Sequence, residues 1–119
     1  MATINPVITH PQKRVVRIEW ASLASGDVGL PVDLSHLPDK TVHVVGTFNT
    51  ATVSLQGSNV GDGIDTATGF VILNDPQGNT LEFSAAGVDA ITQLTRWIRP
   101  SIGAGGGSTN VNVIVMATI

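Results

Sequence analysis

The chain reads as an all-β protein: a jelly-roll or β-sandwich of about seven to eight antiparallel strands with an extended N-terminal arm. Three observations predict this. Short apolar stretches alternate with polar residues at a period of two, turn signals recur roughly every ten residues, and no segment carries a convincing long helical pattern. The arm is residues 1–12, and residues 13–119 form a single sandwich domain, since 119 residues suffice for one real core but not two.

In the arm, Pro6 and Pro11 deny helix and limit ladder hydrogen bonding, yet Ile4, Val7 and Ile8 are apolar. Either the segment lies on its own domain or it reaches a neighbouring subunit. Arg14 to Trp20 is the first clear strand, with Val16, Ile18 and Trp20 on one side and Val15, Arg17 and Glu19 on the other. Ser22 to Gly29 is a turn of small residues. Val28 to Leu34 is a short strand interrupted by Pro31, which places it at an edge or bulge. LSHLPDK, residues 34–40, is a loop or single helical turn stopped by Pro38.

Thr41 to Asn59 reads as a hairpin about Asn49-Thr50. Counting outward pairs Phe48 with Ala51, Gly46 with Val53, Val44 with Leu55 and Val42 with Gly57. That register gives one apolar surface (Val42, Val44, Phe48, Ala51, Val53, Leu55) and one polar surface (Thr41, His43, Thr47, Thr52, Ser54, Gln56). Asn49 suits a positive φ, while Thr50 fits the second turn position poorly, so a longer loop is the alternative.

NVGDGIDTATG, residues 59–69, is a polar glycine-rich loop, and Phe70 to Leu73 a compact apolar strand. NDPQGN, residues 74–79, is a turn followed by the strand Thr80 to Ser84. Ala85 to Leu94 holds Gly87 and reads as a bulged strand or loop, leading into the strand Thr95 to Ile102. GAGGGS, residues 103–108, is a flexible turn, and the valine alternation of Asn110 to Met116 closes the sheet.

Composition bounds the function. Charged residues are 13% of the chain and the net charge is −3, which offers no general attraction to nucleic acid or an anionic membrane. With two tryptophans, no tyrosine and no basic stripe, nucleic-acid binding has no support. There is no cysteine, so no disulfide frame and no thiol chemistry. The opening MATINPVITH lacks a basic region followed by an apolar core, and no run is long enough to span a membrane, so synthesis in the cytoplasm is expected.

A search for chemistry finds no catalytic set. His10, His36 and His43 share no metal-ligand spacing. Asp62 and Asp65 lie in one loop, but without the alternating acidic pattern of an EF-hand they read as turn residues, and Asp75 before Pro76 does too. GAGGGS lacks the terminal Lys-Ser/Thr of a phosphate loop and precedes a strand. The expectation is no enzyme, no cofactor and no metal. The most distinctive cluster is RWIRP, residues 96–100, because tryptophan and arginine are enriched in binding hot spots. The competing reading places Trp97 in the core with arginine stems lying over apolar surface.

TVSLQGSN at 52–59 and RWIRP at 96–100 are similar to segments of discoidin-like jelly rolls. The run from SLQGSN through NDPQGNTLEFSAAGVDAITQLTRWIRP resembles small β-sandwich proteins encoded among tailed-bacteriophage structural genes. The likeness covers roughly residues 50–119. VGDGIDTATG stands where discoidin-like domains place Asp-Gly and a tryptophan, which argues against a sugar or lipid site in that loop, and the cysteines that often staple such domains are also absent. The resemblance implies a virion component: a capsid cement (decoration) protein on the outside of a phage head, assembled as a homotrimer and bridging neighbouring major capsid protein subunits. A glycan-binding jelly-roll module and a tail or head-completion protein are the alternatives. The residues expected at its interfaces are Ile4, Val7, Ile8, Arg14, Arg17, Trp97 and Arg99.

Overall fold

A computed structural model describes residues 2–118. They form twelve strands and one 3-10 turn at Ile64–Thr66. The strands are β1 (Thr3–Ile4), β2 (Val7–Gln12), β3 (Val15–Leu23), β4 (Val28–Gly29), β5 (Val32–Asp33), β6 (Asp39–Thr47), β7 (Val53–Ser58), β8 (Val71–Ile72), β9 (Glu82–Phe83), β10 (Gly87–Ile91), β11 (Trp97–Ile102) and β12 (Asn110–Thr118). Seven have five or more residues; the strands expected at 28–34, 70–73 and 80–84 are present only as the two-residue pieces β4 and β5, β8 and β9. The strands stack as two sheets, one of order β10-β6-β12-β3-β2 and one of order β1-β4-β11-β7-β8, with β5 and β9 added to β11 and β7. This is an all-β sandwich of the jelly-roll kind. One pairing departs from the antiparallel expectation: β1 runs parallel to β4.

The core lies between the sheets. Ile18 and Trp20 of β3, Val42 and Val44 of β6, Val53 and Leu55 of β7, Ile98 of β11 and Val111, Val113 and Val115 of β12 are all buried. Trp20 is wholly enclosed and satisfies its indole N–H by donating to the Leu30 carbonyl at 3.0 Å. Lys40 is also buried; its ammonium donates to the Leu37 carbonyl at 2.9 Å, and burial lowers its pKa below 10.5 against the opposing pull of Asp39.

The expected 41–59 hairpin is corrected. β6 pairs with β12 and β10, whereas β7 pairs with β11, β8 and β9 in the other sheet. The inward and outward sides are as the alternation predicts, with Val42, Val44, Ala51, Val53 and Leu55 buried. Alternation fixes which side meets the core; it does not say which strand lies alongside, and here the two strands face the same core from opposite layers. The turn itself exists: Asn49 and Thr50 take φ of 45° and 70°, and Ala51 N–H donates to Phe48 C=O at 2.9 Å. It serves as a corner between sheets.

GAGGGS is likewise more than a flexible turn. It crosses this corner backbone to backbone, with Gly103 N–H donating to Thr52 C=O and Gly106 N–H to Asn49 C=O, both at 2.8 Å. A Cβ at residue 105 would stand 2.7 Å from the Ala51 Cβ and 3.0 Å from its Cα, which favours glycine where the loop crosses the corner.

Candidate functional site

Two surfaces organise the exposed side chains. The first is the outer face of the five-stranded sheet. In-register neighbours point to the same side, so the pairings define rows running across all five strands. One row is Val7, Glu19, Ile114, His43 and Val88; the next is Thr9, Arg17, Met116, Thr41 and Ala90. Val7 and Val88, at opposite edges, are 60% and 62% exposed, and Met116 is exposed between them. Arg17 and Glu19 pair at 3.1 Å on this face, a half-exposed contact of little energetic weight. The face is about 19 Å wide, four strand spacings of about 4.8 Å.

Both edges of this sheet are blunted against open-ended strand addition. β2 carries Pro11 and an irregular register between Thr9 and Gln12, and β10 turns Asp89 toward the inner side.

The second surface is the outer face of the seven-stranded sheet, where the Arg96-Trp97 cluster fastens the 59–69 loop. Trp97 Nε1 donates to Gly61 C=O at 3.1 Å; Arg96 donates through its guanidinium to Asp62 C=O at 3.0 Å and to Asp33 Oδ2 at 3.3 Å; and Arg96 N–H donates to Asn59 Oδ1 at 2.8 Å. The Arg96 guanidinium also lies 4.9 Å from the Trp97 ring centroid. Partial burial would raise the pKa of Asp33, but hydrogen bonds from Ser35 and the Arg96 guanidinium outweigh it and hold the carboxyl below 3.8. Arg99 stacks 4.0 Å from the Phe70 ring centroid and donates to Gln56 Oε1 at 3.0 Å. Within the loop, Thr66 Oγ1 accepts from Asp62 N–H and Gly63 N–H, so a threonine closes the acidic turn. Arg96→Ala should free this loop, making amide exchange at Gly61 to Thr66 about tenfold faster while the β12 amides keep their protection.

The seven expected interface residues are thus dispersed. Val7 and Arg17 share the open face. Ile8 turns to the other side, lining a cleft of about 470 Å³ between the arm and the sandwich mouth. Ile4 is half-buried against the core, and Arg14 sits exposed in the turn before β3. Arg99 belongs to the opposite sheet. Trp97 is corrected: at 4% exposure it lies beneath the 59–69 loop and offers no surface to a partner. Ile114, Met116 and Val88 join the face without having been singled out from sequence, because their alignment depends on pairings between strands far apart in the chain. Among the described residues, no three His, Asp or Glu side chains converge in a way that could hold a metal.

This geometry belongs to the class of two-sheet jelly-roll sandwiches. Among solved structures of that architecture, the SPBc2 prophage-derived protein YomS superposes with a TM-score of 0.62 at 10% identity, covering 95% of this chain and 98% of that one. A double-stranded β-helix domain protein from Klebsiella pneumoniae gives 0.44 at 10% identity, over 96% and 77% of the two chains. KdgF from a Halomonas species gives 0.40 at 10% identity, over 95% and 86%. At 10% identity the likeness to YomS is one of fold alone. No family model matches the chain, and neither does any curated protein.

Proposed function

We propose that this protein is a structural component of a phage particle, a cement protein that seats on the outside of the head and bridges neighbouring major capsid subunits. The observation that carries the reading is the uncovered outer face of the five-stranded sheet, with Val7, Ile114, Met116 and Val88 in rows among Arg17, Glu19 and His43. A flat face mixing apolar and charged groups fits modest adhesion to a large partner, since interfaces of ordinary size are only about as apolar as the rest of a protein surface. The blunted edges keep copies from polymerising through their sheets. Sharing its fold with a prophage-derived protein fits a phage origin. Clustering as trimers would let each assembly hold several shell subunits, adding avidity without strong single contacts.

The test inserts charge at the open face. Val88→Glu with Met116→Glu replaces exposed side chains, so folding stability should change by no more than about 0.5 kcal/mol per site. Binding of the purified variant to heads stripped of this protein should weaken about tenfold or more. Unchanged occupancy on the heads would count against this face.

A further inference from the structure

We infer that the N-terminal arm, residues 2–12, exchanges between copies, each arm seating against β3 and β4 of a neighbouring molecule with Lys13-Arg14 as the hinge. The occupant of the arm's seat is therefore the same segment of a second copy. This stands on the arm alone and holds whether or not the protein binds a phage head.

Four features of the arm lead there. Its turn is ill-suited to a closed hairpin. Gln12 pairs with Val15, leaving a two-residue connection in which Arg14 takes φ of 67° and Lys13 does not take a positive φ. Two-residue hairpins that match strand twist want Asn, Asp or Gly at left-handed positions, and a long side chain such as arginine is strained there. Opening the hinge releases that strain, and hinge loops under strain invite exchange.

The arm also packs thinly on its own body. All six β2 residues are exposed, Ile8 is 52% exposed, and the 470 Å³ cleft opens between Pro6, Ile8 and His10 on the arm and Val16, Leu34 and Leu37 on the sandwich. Pro6 and Pro11 remove two backbone donors.

Beyond its ladder with β3, at Val7, Ile8, Thr9 and Gln12, the arm is held by bonds far from the hinge. Buried Asp27 accepts Ala2 N–H on Oδ1 at 3.0 Å and Ala24 N–H on Oδ2 at 2.9 Å. Val28 N–H donates to Ala2 C=O at 3.0 Å, and Leu30 N–H donates to Ile4 C=O at 2.8 Å. A neighbour's arm, having the same sequence, would make every one of these bonds again. The balance then rests on hinge strain against the entropy of association, so exchange grows with concentration.

The chain has no cysteine, which makes cross-linking clean. Thr9 and Arg17 are direct partners between β2 and β3, so T9C/R17C reports whose arm occupies the seat. Oxidation of concentrated protein is expected to give covalent oligomers on a reducing-agent-free denaturing gel, falling to monomer on dilution before oxidation. Adding Lys13→Asn with Arg14→Gly supplies the turn a closed hairpin wants and should lower the cross-linked oligomer about tenfold at equal concentration. Monomer bands alone at every concentration would overturn the inference, as would oligomers undiminished by the Asn-Gly hinge.

Discussion

Trp20→Ala is expected to cost about 3–5 kcal/mol of folding stability, a large share of the roughly 5–15 kcal/mol that a domain of this size possesses. Trp20 is fully enclosed at the centre of β3, where Val113 of β12 is its strand partner. It closes against Gly29 so tightly that a Cβ there would stand 2.6 Å from the indole Cδ1 and Nε1. Truncation leaves a cavity that neighbouring strands, tied into ladders, cannot collapse to fill. It also strips the Leu30 carbonyl of its indole donor. Urea unfolding should show a lowered midpoint with an unchanged slope, because the surface exposed on unfolding is nearly the same. Trp20→Phe should recover much of the loss, since it refills most of the volume while still forfeiting the hydrogen bond.

Gly46→Ala is the second large effect, and its cause is backbone geometry. Gly46 takes φ of +128°, which an L side chain rarely adopts, where β6 bends away toward the Asn49-Thr50 corner. A Cβ there would lie 2.8 Å from Val111 Cα and closer still to the Asn110 carbonyl, both backbone atoms of the paired strand β12. Strain of about 1–3 kcal/mol adds to an overpacking cost of about 1–3 kcal/mol, so the single methyl should destabilise by at least about 2 kcal/mol. Gly78→Ala provides the contrast: its φ is +87° but a Cβ meets nothing within 4 Å, so only the conformational part should appear. Thermal unfolding of the two variants side by side separates clash from strain.

What the sequence made legible divides along physical lines. Side-chain direction is local, so the inward set Ile18, Trp20, Val42, Val44, Val53, Leu55, Val111, Val113 and Val115 could be read from alternation alone. Strand partnership is not local. Nothing between residues 41 and 59 records that β12, more than fifty residues away, offers β6 a longer ladder than β7 does. The strands at 28–34, 70–73 and 80–84 are legible in place but not in extent, since apolar composition marks a strand without saying how much of it pairs, and only the two-residue pieces β4, β5, β8 and β9 do. RWIRP was conspicuous for its residue types, and the structure uses its first two residues to pin the 59–69 loop. Of the open face only Val7 and Arg17 stand out in the sequence; that they share a surface with Ile114, Met116 and Val88 depends on pairings among five strands.

The central proposal is adhesion through the flat of the five-stranded sheet to a repeating partner. Its most direct measurement is the copy number of this chain on intact particles, taken against the major shell protein from the same gel, with the Val88→Glu/Met116→Glu variant alongside. Copies comparable to the shell protein, lost in the variant, are the predicted result. A handful of copies per particle, as a tail or vertex component would show, or full occupancy by the charged variant, would contradict it.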